Sequence, residues 1–297
     1  MAMRANPLRF GVNLTNQPFA ETLSICRAAE EHGFDTVALA DRPPESSLEG
    51  WTLACAIAAL TQRLIITHRT LNVPFRNPAL LAKAAATLDV ISGGRLELTL
   101  GAGAQESHFR AYGIPSASPG DRFRALREAV IILRGMWTQP KFTYQGRHYQ
   151  VEEVELQPKP VRGSIPIWIG ALGPQMMDYT GRTADGWMKN RGWPTSVDEL
   201  RSLIEQLEAG AKSAGRDPAT IRRVLNGAGG VREGRSPEPL HSRAGLVGTA
   251  EEVLEAIAVY REIGIDTFYL AFPPENTVEQ IRLFAREVLP RARSSPE

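Results

Sequence analysis

The sequence predicts an α/β protein of the (β/α)8 barrel class, a TIM barrel with insertions at the C-terminal face of its strands. Short segments typical of strands alternate with segments of helical periodicity along the whole chain, as in parallel βαβ units. The chain has 297 residues, an ordinary length for eight such units in one domain, and we expect a single domain over residues 1–297. Hydrophobic residues make up 43 % of it, which is enough for a packed core. A doubly wound open sheet is the alternative fold.

The expected elements follow from apolar runs and from the residues that end them. Pro78 suits the first position of a helix, because its missing N–H would be unpaired there, and Gly93 suits the left-handed end of the same helix. We expect strands at residues 8–14, 36–40, 64–72, 96–100, 165–170, 186–189, 221–226 and 267–271. We expect helices at residues 19–32, 51–60, 78–91, 118–137, 174–183, 197–214, 250–263 and 278–289.

Three segments depart from this repeat. Residues 142–161 contain a hairpin-like turn at Tyr144–Arg147 and are interpreted as an insertion after the fourth helix. Residues 227–245 are rich in Gly, Arg and Pro without periodicity, which is typical of a lid or a disordered insertion. The tail from residue 291 is expected to fray.

Bulk properties exclude several classes of protein. The formal net charge is +1, so no basic field favours nucleic acid or an anionic membrane. No apolar stretch is long enough to span a bilayer, and the N-terminus lacks the apolar core of a signal peptide. Cys26 and Cys55 lie in apolar helical patterns and are interpreted as buried, reduced thiols. We expect a cytoplasmic protein.

In a barrel, the C-terminal ends of the strands line the active site, and here they are poor in acid–base pairs. No Ser-His-Asp or zinc-like pattern occurs, and the five His residues are scattered; we place His108 on the surface. Glycine-lined backbone with a few polar anchors suits a large planar cofactor that carries the chemistry. The candidates at or near these ends include Asn13, Asp41, Arg42, Asn72, Ala102, Gly103, Glu106, Gly170, Ala171, Gly173 and Trp187.

Two small-residue turns follow expected strands. The turn Gly101–Gly103 leaves bare backbone against which a flat or anionic group can lie. The turn Gly170–Gly173 precedes a helix that begins at Pro174, where free N–H groups and the helix dipole favour a phosphate. Either segment is also compatible with an ordinary tight turn.

For each of the remaining candidates, a purely structural role is an alternative to a role in function. Asp41 is compatible with a helix cap or a salt bridge as well as with catalysis. Asp41, Glu106 and His68 would be the ligands of a metal-dependent hydrolase, although scattered ligands of this kind are a weak metal signal. Trp187 and Trp193 favour packing over contact with a ligand.

Several motifs, in their order and spacing, resemble the luciferase-like monooxygenase superfamily, which includes bacterial luciferase, alkanesulfonate monooxygenase and deazaflavin-dependent dehydrogenases. The resemblance covers about residues 8–290. The motifs that carry it are Ala29–Asp35, Asn77–Pro78 with Thr87–Arg95, Gly101–Gly103 with Phe109–Gly113, Pro166–Gly170, Ala184–Trp187 and Gly248–Thr249 with Gly264–Phe268.

The resemblance implies a TIM barrel that binds FMN or coenzyme F420, a deazaflavin, over the strand C-termini. It implies that residues Arg69–Asn72 support the ring, often with a non-prolyl cis peptide, and that residues 227–245 form a mobile loop. It also implies a homodimer. Together with the strand-end positions, this gives the expected cofactor-binding residues Asn13, Thr70, Leu71, Asn72, Ala102, Gly103, Ala104, Gly170, Ala171, Leu172, Gly173 and Trp187.

The chain departs from many deazaflavin-dependent members, which have Asp-His where this sequence has Asp41-Arg42. Arg42 would attract an anionic substrate, stabilise negative charge on a reduced flavin, or pair with an acid such as Asp41. The expected reaction on a small organic substrate is hydride transfer with F420, or oxygenation with reduced FMN from a separate reductase and O2. Asp41, Arg42 and Glu106 are the expected catalytic residues. The alternatives are the metal-dependent hydrolase and a non-catalytic flavin-binding protein.

Overall fold

The computed structural model describes residues 6–42, 48–189, 196–234 and 245–294. Its strands are β1 Arg9–Asn13, β2 Thr36–Leu39, β3 Ile65–His68, β4 Leu71–Asn72, β5 Leu98–Gly101, β6 Phe142–Gln145, β7 Gln150–Val154, β8 Ile167–Ala171, β9 Gly186–Lys189, β10 Arg222–Val231, β11 Gly245–Gly248 and β12 Thr267–Ala271. Its α-helices are α1 Phe19–Glu31, α2 Gly50–Leu60, α3 Pro78–Ser92, α4 Glu106–Ala111, α5 Pro119–Thr138, α6 Pro174–Thr183, α7 Val197–Ser213, α8 Ala250–Glu262, α9 Thr277–Glu287 and α10 Leu289–Ser294.

The chain divides into two compact units, which are described separately. The terminal unit comprises residues 1–38 and 171–297. Its strands are parallel in the order β2-β1-β12-β10-β9, and β11 also pairs with β10. Gly11 of β1, for example, lies opposite Thr36 on one side and Tyr269 on the other. Because the strands are parallel, their carboxyl ends lie at one edge.

The middle unit comprises residues 39–170. Its strand β5 pairs in parallel with β4 and with β8, and β3 is joined to the segment before β5 by a bridge between Ile66 and Leu96. The antiparallel hairpin β6–β7 occupies the segment in which a hairpin was expected. The candidate residues Thr70–Asn72 lie at the ends of β3 and β4, and Ala102–Ala104 follow the end of β5.

The ends of helix α3 are set by residues at or next to them, and the sequence predicts this helix well. The Asn77 side chain accepts the backbone N–H groups of Ala79 and Leu80 at 2.9 and 3.2 Å, so it caps the helix. Pro78 is the first helical residue, as predicted. Gly93 ends the helix with a φ of 67°, a left-handed conformation that suits glycine.

The segment from residue 227 was expected to be an irregular loop, and this expectation is wrong for its two ends. Strand β10 continues to Val231, and β11 begins at Gly245, while residues 235–244 lie outside the described residues. The hydrogen bonds of a β-sheet join backbone groups, so glycine can form part of a strand where neighbouring atoms leave no room for a side chain. A Cβ on Gly229 would lie 2.7 Å from the Cβ of Leu270.

The chain end differs from its expectation as well. Helix α10 continues to Ser294 instead of fraying from residue 291. Arg293 anchors this helix, because its Nη2 donates to the Gly33 carbonyl at 3.0 Å and to Asp35 Oδ2 at 2.8 Å. Ala292 is buried beside it.

Three burial and boundary predictions also need correction. The expected third strand, residues 64–72, is divided into β3 and β4. His108 was expected at the surface among helix-forming residues, but it is buried on the short helix α4. Cys26 is buried as expected, whereas Cys55 is half-buried, and both thiols are free. Among the described residues, no helix is both long and apolar enough to cross a membrane.

Helices α6 and α7 approach each other backbone to backbone. A Cβ on Gly181 would lie 2.1 Å from the Leu207 carbonyl oxygen, and one on Gly210 would lie 2.5 Å from that of Asp178. The helices therefore meet at this distance only if both positions lack side chains.

We expect Gly181→Ala to lower the free energy of unfolding by about 1–3 kcal/mol, because the added methyl group must push the helices apart. Urea unfolding measures this loss. The matched control is Gly120→Ala in α5, where the nearest atom to the new Cβ is Arg124 Nη1 at 3.6 Å. Equal unfolding midpoints for the two variants would contradict the close approach.

Candidate functional site

Asp41 lies two residues after β2 and is buried in a network within the middle unit. Arg76 donates from Nη1 and Nη2 to the two carboxylate oxygens, each at 2.9 Å. The Asn72 backbone N–H donates to Asp41 Oδ2 at 2.7 Å, and Asn72 Nδ2 donates to the Asp41 carbonyl at 2.7 Å. Both carboxylate oxygens of Asp41 are therefore engaged, which is the salt-bridge alternative considered from the sequence.

Arg76 also reaches the start of α2. Its Nη2 lies 2.7 Å from Glu49 Oε1, and Glu49 caps α2 by accepting the N–H groups of Trp51 and Thr52. Burial alone would lower the pKa of Arg76, but its hydrogen bonds and ion pairs with Asp41 and Glu49 raise that pKa overall. Arg76 thus remains charged and joins the segment after β2 to the start of α2. The sequence patterns did not identify it, because its partners are distant in sequence.

His68 is fully buried beside this network at the end of β3. Its ring stacks on Trp51, with ring centroids 5.6 Å apart and planes at 7°. Burial lowers the pKa of His68 to about 4, although the negative charge of Asp41 acts in the opposite direction. The imidazole is therefore neutral at neutral pH.

The hydrolase hypothesis requires Asp41, Glu106 and His68 to form a metal site. The structure engages Asp41 with Arg76, stacks His68 on Trp51 and leaves Glu106 exposed on α4. Over the part of the chain that the structure describes, no three His, Cys, Asp or Glu residues are grouped to hold a metal ion.

The segment that joins β3 to β4 packs against the end of β5. The peptide bond between Arg69 and Thr70 is cis, the feature that the resemblance implied for this segment. Leu71 and Asn72 pair with Leu100 and Gly101. A Cβ on Gly101 would lie 2.3 Å from Thr70 Oγ1, so only glycine permits this approach.

The turn after β5 presents small residues. Gly103 has a φ of 77°, and a Cβ there would lie 2.6 Å from Phe109 Cζ. Ala102 is half-buried, whereas Ala104 and Glu106 are exposed. A turn of small residues therefore precedes the carboxylate of Glu106 at the start of α4. Arg42, which follows Asp41, is also exposed.

In the terminal unit, the end of β1 carries Asn13. Its Nδ2 donates to Asn226 Oδ1 and, at 3.1 Å, to the Tyr269 carbonyl. Asn13 is only 4 % exposed, and its Oδ1 has no hydrogen-bond partner among the described residues. An unpaired buried acceptor is costly in a folded protein unless a donor from water or a ligand meets it. Asn226 was not predicted, although it lies where the seventh strand was expected to end.

The second small-residue turn joins β8 to α6. Ala171 ends β8, and Gly173 is the N-cap of α6 without a side-chain cap, so the first N–H groups of the helix have no side-chain acceptor there. A Cβ on Gly173 would meet no atom within 4 Å. Trp187 is fully buried, and its Nε1 donates to the Ala171 carbonyl at 2.9 Å, in agreement with the packing interpretation. Trp193 lies outside the described residues.

These residues fit an organic redox cofactor better than direct acid–base chemistry. In the middle unit, the end of β5 offers glycine-lined backbone. In the terminal unit, Asn13 offers an unpaired amide oxygen and Gly173 an uncapped helix start. Asp41, by contrast, is held by Arg76. Each of these groups has the chemistry to bind part of such a cofactor: bare backbone can bind a flat ring, an amide oxygen an N–H donor, and a helix start a phosphate.

Comparisons with known proteins agree with this chemistry. A family model described as luciferase-like monooxygenase matches residues 6–236. An F420-dependent glucose-6-phosphate dehydrogenase of Segniliparus rotundus is 26 % identical, over 97 % of this chain and 99 % of the relative.

Two solved structures share the fold. The coenzyme F420-dependent tetrahydromethanopterin reductase of Methanopyrus kandleri superposes with a TM-score of 0.83 at 19 % identity, over 96 % of this chain and 99 % of that one. The oxygenating constituent of 3,6-diketocamphane monooxygenase from Pseudomonas putida, in complex with FMN, has a TM-score of 0.76 at 17 % identity, over 96 % and 99 %. The predicted TIM-barrel fold class is thereby confirmed.

Proposed function

We propose, from the premise that this chain belongs to the luciferase-like monooxygenase family, that it transfers hydride between coenzyme F420 and a small organic substrate. The observation that carries the proposal is the engagement of Asp41 by Arg76 and Asn72, together with the side-chain-poor turn after β5, in which Ala102 and Gly103 are half-buried and Ala104 is exposed. The buried candidate acid is already held within the protein, so the redox chemistry is assigned to a bound cofactor.

F420 is preferred over FMN because a relative that spans nearly the whole chain is named for F420. FMN is the second candidate, since a structure with the same fold contains it. In the FMN case, a separate reductase would supply the reduced flavin and O2 would be the second substrate.

Each group of residues is assigned a task within its own unit. In the middle unit, we assign Thr70–Asn72 and Ala102–Ala104 to the ring and its side chain. In the terminal unit, we assign Gly173 and the preceding Ala171 and Leu172 to the phosphate, at the start of α6, and Asn13 Oδ1 to an N–H of the ring. When bound, the deazaflavin supplies a ring carbon that donates or accepts hydride. We retain Gly170 as a backbone contact and Trp187 as support for the Ala171 carbonyl.

The charged residues divide between positioning and reaction. Asp41 is assigned to positioning, because both of its carboxylate oxygens are held by Arg76. Glu106 is exposed and follows the small-residue turn, so it is our candidate for moving a proton to or from the substrate. Arg42 is exposed and carries a permanent positive charge, which suits an anionic group on the substrate.

We also propose that the protein acts in the cytoplasm and forms a homodimer. The free thiols of Cys26 and Cys55 suit a reducing compartment. The dimer follows from the family resemblance, and sedimentation of the purified protein tests it.

We expect the protein to bleach the visible absorbance of F420 when it is incubated with a substrate from a panel of alcohols and sugar phosphates. Glu106→Gln is expected to lower the turnover number at least about 100-fold, because a positioned general acid or base contributes about that much. Binding of F420 to the variant should be unchanged.

The matched control is Glu21→Gln on α1, which removes another exposed carboxylate and should leave turnover unchanged. Equal turnover by the Glu106 and Glu21 variants would overturn the role of Glu106. Oxygen uptake with reduced FMN, without any reaction of F420, would replace hydride transfer by oxygenation.

A further inference from the structure

Arg122, near the start of α5, contacts two separate backbone segments. Its Nε donates to the Gly103 carbonyl at 3.0 Å, and its Nη1 donates to the Ala117 carbonyl. One guanidinium therefore links the two ends of the segment that runs from the turn after β5, through α4, to the start of α5. A planar guanidinium can do this because its donors diverge in fixed directions.

Aromatic rings complete the same contact. The Arg122 guanidinium carbon lies 5.7 Å from the Phe109 ring centroid, and Phe109 packs edge-on against Phe75 at 5.5 Å. The position of a Cβ on Gly103 is already filled by Phe109 and by Pro74, whose Cγ would lie 3.5 Å away. Gly103 is thus held from its carbonyl side by Arg122 and from its Cα side by Phe109.

This clamp differs from ordinary surface charge on the same helix. Arg124 is exposed and pairs with Asp121 one turn away, at 2.6 Å. Arg122 is half-buried and reaches across the chain to Gly103, so its contacts fix a loop rather than a helix surface.

We infer that Arg122 is a positioning residue, which sets the conformation of residues 101–106 for cofactor binding and for the placement of Glu106. Its effect on the cofactor rests on the proposed function, whereas its effect on the turn does not. Arg122 acts through the Gly103 carbonyl and is not assigned a contact with the cofactor.

The first experiment uses the cofactor-free protein. Amide hydrogen exchange is followed in peptides that cover residues 101–106, in the unchanged protein and in Arg122→Met, Arg122→Lys and Arg124→Met. Loss of a hydrogen bond to a charged donor is expected to speed exchange of this segment about tenfold to 100-fold in Arg122→Met. Arg122→Lys keeps the charge without the planar fork and should give an intermediate rate. Arg124→Met should match the unchanged protein.

The second experiment measures cofactor binding by fluorescence quenching in the same four proteins. We expect Arg122→Met to raise the Kd for F420 at least about tenfold, in step with faster exchange, while its thermal unfolding midpoint stays close to that of Arg124→Met. KM for the cofactor should rise, whereas kcat at saturating cofactor should change less.

The outcomes separate the inference from the proposed function. Equal exchange in the Arg122 and Arg124 variants would overturn the clamp. Faster exchange with an unchanged Kd for F420 would retain the clamp and overturn its role in binding. If the unchanged protein binds neither F420 nor FMN, the proposed function fails together with the link to the cofactor, while the exchange rates still decide whether Arg122 holds the turn.

Discussion

Replacement of Asp41 by alanine is expected to lower the free energy of unfolding by about 3 kcal/mol, because it leaves a largely buried guanidinium without its bidentate partner. The Asp41 side chain is fully buried and that of Arg76 is 20 % exposed, so water cannot replace the lost contacts well. The Asn72 backbone N–H also loses its acceptor. Urea unfolding at neutral pH measures the loss. Cofactor affinity should fall with it, since Asn72 would then be held to residue 41 only by the bond from its Nδ2 to the backbone carbonyl, which alanine keeps.

Glu49→Gln is the matched control for this prediction. It weakens the other ion pair of Arg76 and leaves one acceptor oxygen to cap α2, but the Glu49 side chain is 45 % exposed. A half-exposed pair is worth at most about 1 kcal/mol, so this variant should unfold near the unchanged protein. If the Asp41 variant is no less stable than the Glu49 variant, the buried pair does not organise the strand ends as we describe.

Stability is expected to decrease as the pH falls from about 6.5 to about 4, with His68 as a principal cause. Burial lowers the pKa of His68 from 6.5 to about 4, against the charges of Asp41 and Glu49 and with that of Arg76. In this pH window the unfolded chain binds a proton that the folded chain does not, so acid favours unfolding. The difference between the two pKa values corresponds to about 3 kcal/mol, fully present above pH 6.5 and lost towards pH 4.

His68→Phe tests this pH dependence, because phenylalanine keeps a ring against Trp51 and does not titrate. The free energy of unfolding is measured by urea from pH 4 to 7 for both proteins. Other acidic groups titrate in both, so the informative quantity is the difference between the two curves. A difference that does not change with pH would show that His68 is not a buried neutral group.

The success of prediction from sequence depended on the range of the interaction. Helix α3 was located by Asn77, Pro78 and Gly93, whose effects act within a few residues. The pairing of Arg76 with Asp41 spans 35 positions and has no local pattern, so the sequence left Asp41 open between catalysis and a salt bridge.

The other differences between the predictions and the structure arise from packing between segments that are distant in sequence. His108 was expected at the surface because its neighbours favour a helix, yet the fold covers that side of α4. The glycine-rich end of β10 was expected to be a loop because it shows no alternation of apolar and polar side chains, yet residues 228–231 pair with β11 through their backbone. The contact of Arg122 with Gly103 could not be predicted from the sequence either, because a long helix with several arginines usually presents them to solvent.

The most direct test of the central claim is a titration of the purified protein with F420 and, separately, with FMN, followed by fluorescence quenching. We predict saturable, tight binding of F420 and weaker binding of FMN. Tight binding of FMN alone would change the reaction to oxygenation within the same family. Binding of neither would contradict the assignment of a redox cofactor to these strand ends.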